Sequence, residues 1–66
     1  MPSYRVSLLD KKGLVTHVHE ILADSKDAII RKAASLYCSR PAVEIRFEDS
    51  VIARLTTEEM AAIDSQ

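Results

Sequence analysis

Residues 43–48 read Val-Glu-Ile-Arg-Phe-Glu, with Val43, Ile45 and Phe47 on one parity and Glu44, Arg46 and Glu48 on the other. Side chains along a strand point alternately to opposite faces, so this pattern specifies a strand with one buried and one wet face. A single strand cannot bury its apolar row alone. The chain must supply neighbouring strands and a covering layer. The same alternation occurs near the start, where Tyr4, Val6 and Leu8 oppose Arg5 and Ser7 in a strand over residues 4–9. Two such strands separated by a stretch of helical period constrain the chain to an α+β arrangement.

Each alternating segment carries a turn signal after it. Asp10-Lys11-Lys12-Gly13 places Asp at the first position of a turn and Gly where a positive φ is needed, which predicts a hairpin with a glycine bulge. The return strand covers Leu14 to Ala23, and its facing is ambiguous. Val15, His17, His19, Ile21 and Ala23 form one set; Leu14, Thr16, Val18, Glu20 and Leu22 form the other. Neither is cleanly apolar, which a bulge partway along or an edge position would explain. After residues 43–48, Asp49-Ser50 predicts a tight turn into a strand from Val51 to Leu55.

Asp24 and Ser25 are good N-caps for a helix reaching Cys38. Its apolar arc is Ile29, Ile30, Ala33, Ala34, Leu36 and Tyr37, and Asp27 with Arg31 has the spacing of an i,i+4 ion pair. Ser39-Arg40-Pro41 ends it. Thr56 caps a last short helix, with Glu59 at the capping-box position and Leu55 and Met60 at hydrophobic-staple positions. The expectation is one α+β domain over residues 1–66, ordered ββαββα. Its sheet is four-stranded and mainly antiparallel, with the main helix on one face and a short C-terminal helix; the sequence does not determine the strand order, for which 2-1-3-4 is the first choice.

A chain of 66 residues buries only about 60% of the surface its unfolded form exposes, so its stability is small unless something adds to it. Cys38 is the only cysteine, which excludes an intrachain disulfide and a cysteine-rich zinc site. Association with a second copy or another protein is the remaining route. The formal net charge is −1, giving no field to attract nucleic acid. No apolar run approaches the roughly 20 residues that span a bilayer, and no charged-then-apolar leader opens the chain. The expectation is a cytoplasmic protein with no cofactor, no nucleic-acid partner and no membrane partner.

Four features bear on chemistry. His17 and His19, two apart on a strand, point the same way and could present two imidazoles to a metal, with Asp10, Glu20 or a symmetry mate needed to complete the site. Cys38 lies at the C-terminal end of the main helix, where the helix dipole disfavours a thiolate, so it reads as a small core-edge residue. Pro2 would become a secondary-amine N-terminus if Met1 were removed. Short tautomerases of the 4-oxalocrotonate type resemble this chain in size and in a catalytic proline opening the first strand. That resemblance implies Pro2 as base, with Arg31, Arg40 or Arg46 holding an anionic substrate. It covers only Pro2 and the strand after it, because those enzymes pass from strand one directly into a long helix. Finally, Arg5, Glu44, Arg46, Glu48 and Arg54 would stand on the sheet face that the helix leaves open. They are either a solvated face of mixed charge or a polar protein interface.

Tyr4-Arg5-Val6, Leu9-Asp10-x-x-Gly13, Asp24-x-x-Asp27-Ala28, Val43-Glu44-Ile45 and Val51-Ile52-Ala53-Arg54-Leu55 together resemble a group of short bacterial proteins of unknown function, mostly alphaproteobacterial. The resemblance runs nearly to Leu55 and rests on turn, cap and strand positions, so it implies fold and no chemistry. In that group a tryptophan often follows the Glu-Val of the third strand, where this chain has Arg46 and Phe47. The functional expectation is a non-enzymatic interaction module that uses its sheet face or an edge strand to form a homodimer or to bind an unidentified protein partner; the alternative is a small tautomerase-like enzyme with Pro2 as base.

Overall fold

The computed structural model describes residues 1–65. Its elements are β1 (Ser3–Leu9), β2 (Val15–Leu22), α1 (Lys26–Tyr37), β3 (Ala42–Phe47), β4 (Ser50–Thr56) and α2 (Thr57–Asp64). All four strands form one antiparallel sheet in the order β2-β1-β3-β4, so the α+β reading and the predicted strand order both hold. The central strands β1 and β3 are the two whose sequences alternate most cleanly. The irregular strands β2 and β4 are the edges.

Local chemistry explains the connections. The Asp10 carboxylate accepts the N–H groups of Lys12 at 2.8 Å and Leu14 at 2.9 Å, and Gly13 sits at φ +83. Ser25 accepts the Ala28 N–H and starts α1, whose C-cap is Cys38. The capping box of Thr56 and Glu59 is formed, and Leu55 and Met60 are both buried in the core. The second hairpin turn is one residue earlier than expected. Phe47 pairs with Ser50, so the loop is Glu48-Asp49, and Glu48 adopts φ 57.

The core joins Tyr4, Val6, Leu8, Ile29, Ala33, Ala34, Val43, Ile45, Leu55 and Met60 between the sheet and the two helices. Ala33 and Ala34 let α1 lie close, and it rests against β1, β3, β4 and α2. Strand β2 is left at the margin. Leu36 corrects the predicted apolar arc: it is 62% exposed, because one turn after Lys32 it faces the β2 side, which α1 barely covers. Asp27 and Arg31, despite their spacing, are not within ion-pair distance among the described residues.

Each edge strand carries a bulge. Leu8 pairs with His17 and Leu9 with Val15, leaving Thr16 as the extra residue, and its hydroxyl donates to the Leu8 carbonyl. Ile45 pairs with Ala53 and Arg46 with Val51, leaving Ile52 as the other. The bulge at Thr16 accounts for the mixed parity read in this strand. It moves Val15 onto the same face as Val18, Glu20 and Leu22.

Candidate functional site

The open face of the sheet gathers four of the five charged residues expected there. Glu44 stands opposite Arg54 across the β3–β4 pair and two residues from Arg46 on its own strand. Its carboxylate accepts from the Arg54 guanidinium at 2.6 Å and from Arg46 Nε at 2.9 Å. Arg54 first, and then Arg46, hold this carboxyl below the usual carboxylate range. Glu44 was expected as a displayed contact. It is instead buried beneath two arginines that are themselves largely exposed. Arg5 lies directly opposite Arg46, and Glu20 of β2 offsets it at 3.6 Å. Glu48 stands at the rim, in the turn. Ser3, Arg5, Glu20, Arg46 and Glu48 line a shallow depression of about 220 Å³.

The other candidates are dispersed. Pro2 is exposed, does not line that depression, and accepts the Ala23 N–H through its carbonyl at 3.1 Å. Arg31 is exposed on α1. Arg40 precedes β3 at the end of the sheet where Ala42 pairs with Leu9, some seven residues or about 23 Å along β1 from Pro2. His17 and His19 lie on the helix side of β2 with ring centroids 6.4 Å apart, and His19 stacks on Tyr37 of α1 at 5.7 Å. Among the described residues no group of three or more His, Cys, Asp or Glu is placed to hold a metal. Asp10 is engaged in its turn, and Glu20 points to the opposite face. Cys38, expected at the core edge, is exposed. Among the described residues no helix is long and apolar enough to cross a membrane.

The feature that sequence reasoning only half found is β2 itself. Of its eight residues only Ile21 is even partly buried. On the open face it exposes Val15, Val18 and Leu22, and Leu14 just before it is exposed as well. On the helix side it exposes His17 and His19, with Leu36 beyond them at the rim of α1. Its outer edge faces no strand. One strand is thus largely exposed on both faces and unpaired along its outer edge, with only Ile21 packed on the core and His19 stacked on Tyr37, and most of the large exposed apolar side chains lie on or beside it. The sequence signal was present, since neither parity of residues 14–23 is cleanly polar.

Comparison with protein-family models, with curated proteins and with solved structures returned no match for this chain.

Proposed function

We propose that this chain is a cytoplasmic, non-enzymatic interaction module that self-associates, with β2 as its contact surface. The observation that carries this reading is the exposure of β2, where Val15, Val18 and Leu22 are each about half exposed or more. Isolated exposed apolar residues are ordinary on a protein surface, but here several lie along one strand whose outer edge is unpaired, and an unpaired edge is a pairing template. The charged open face fits such a module as its solvated side. Its arginines are each paired, Arg5 with Glu20 and both Arg46 and Arg54 with Glu44. No observation favours a proline base at Pro2, because the arginines it would need are spread over α1, the α1–β3 connection and β3.

Sedimentation velocity at two concentrations a hundredfold apart tests the reading. The expected result is a mass rising from the 7.4 kDa of one chain toward twice that value. A mass that stays at one chain throughout the range overturns it.

A further inference from the structure

We infer that two copies join through β2 in antiparallel register, with the two-fold axis passing at His19. This deepens the self-association reading and rests on it. The phase of the β1–β2 ladder decides which backbone groups are free. The Ala23 N–H donates to the Pro2 carbonyl, so odd-numbered residues of β2 turn their backbone groups toward β1 and even-numbered ones turn theirs outward. A second contact fixes the same phase independently. The Leu22 carbonyl accepts Lys32 Nζ at 2.7 Å, which requires that carbonyl to point away from β1. The outward groups of regular strand are therefore the N–H and C=O of Val18 and Glu20.

Both ends of this free stretch are closed. Toward the turn, the bulge at Thr16 breaks the regular spacing. Toward α1, the Lys32 ammonium occupies the Leu22 carbonyl, a common way of blunting a strand edge. The open window is His17 to Ile21, and its middle residue is His19. A two-fold axis at His19 sets Val18 of one copy opposite Glu20 of the other, and each such pair exchanges both backbone bonds. Shifting the axis to Val18 places the bulged Thr16 in the ladder, and shifting it to Glu20 places the blocked Leu22 there. Only the His19 register keeps all the pairing inside the window of both copies.

That self-complementarity is what selects a second copy as the occupant. The other edge is not equivalent, because Ile52 bulges near the middle of β4. A β2-to-β4 joint would also be head-to-tail, and it would leave free edges to continue a filament. The β2-to-β2 joint closes on itself. It would extend the sheet to two copies' strands and bring Leu36 of each copy to the flank of the other's bare helix side.

A cysteine at the axis reports the register. Facing residues at a non-hydrogen-bonded antiparallel position have Cα atoms about 4.5 Å apart, within disulfide reach. In a Cys38→Ser background, His19→Cys is expected to oxidise to a covalent dimer as the dominant species under mild oxidant. His17→Cys is expected to link at least tenfold more slowly, since its two copies would lie about 13 Å apart along the strands. Glu20→Pro removes an outward N–H while leaving the β1 ladder intact, a placement proline tolerates on an edge. It is expected to yield folded monomer by circular dichroism and sedimentation. If Glu20→Pro does not fold, the two cysteine variants still decide the register. A dimer that survives Glu20→Pro, or that cross-links no better at His19 than at His17, overturns the edge-to-edge pairing at His19 and leaves self-association through the exposed faces of β2 standing. A wild-type mass fixed at one chain overturns both.

Discussion

Glu48 stands at φ 57, where a side chain bearing Cβ is strained and glycine is not. Glu48→Gly relieves that strain at the cost of greater freedom in the unfolded chain, and is expected to stabilise by about 0.5–1 kcal/mol. At this chain length that is a rise in Tm of roughly 2–8 °C, measurable by thermal circular dichroism. Glu44 acts through charge. Its pKa is lower folded than unfolded, so the stability it contributes is fully present above the ordinary carboxylate range and is lost as pH falls through the lower folded value. Glu44→Gln should therefore cost on the order of 1 kcal/mol at pH 7, kept modest by the exposure of both arginines. The gap in urea midpoint between wild type and variant should close as the pH is lowered through that range. An unchanged gap down to pH 2 contradicts the ion-pair origin.

Among the elements, α1 is fixed at one end by Ser25 and along its buried face by Ile29, Ala33 and Ala34. The two alanines are fully buried, so the distance between helix and sheet depends on their small size. Ala34→Leu inserts volume into a filled site and is expected to destabilise by about 1–3 kcal/mol, which chemical denaturation measures. Helix α2 has only eight residues and would be marginal alone, since helices of fewer than about 12 residues rarely hold in water. Three things secure it: Met60 buried in the core, the Thr56–Glu59 capping box, and the Thr57 hydroxyl, whose one proton is shared between the carbonyls of Arg40 at 2.7 Å and Pro41 at 3.1 Å. Thr56→Ala should cost about 1 kcal/mol. Proteolysis beginning within α2, ahead of any cleavage in the sheet, is the expected readout.

For the molecule as a whole, size sets the problem. One small core is shared by four strands and two helices, and β2 contributes almost nothing to it from either face. A chain of this length has little stability in reserve, so burying β2 against another surface adds where the fold is weakest. Because a binding event that requires the folded state stabilises it by mass action, the Tm should rise with protein concentration. A Tm independent of concentration over two decades counts against association of any kind.

The sequence alone determined each element and nearly every connection. Periods of two and 3.6 residues, Gly13, Ser25, Pro41 and the Thr56–Glu59 pair act over a few residues, so they are readable from a short window. Strand order is not among these local signals: the two hairpins put β1 beside β2 and β3 beside β4, and only the long-range pairing of β1 with β3 selects 2-1-3-4 from the alternatives. Tertiary structure decided what depends on contacts between distant segments. It placed Glu44 beneath Arg46 and Arg54, although its parity alone marks it as a surface residue, because long side chains from the same and neighbouring strands fold over the middle of a sheet. It settled the facing of β2, which parity could not do across the bulge at Thr16. It also set α1 over β1, β3 and β4, leaving Leu36 and His17 exposed and His19 in contact with α1 only through its stack on Tyr37. How far a helix reaches across a sheet depends on how every buried side chain packs at once, and no local stretch of sequence encodes that.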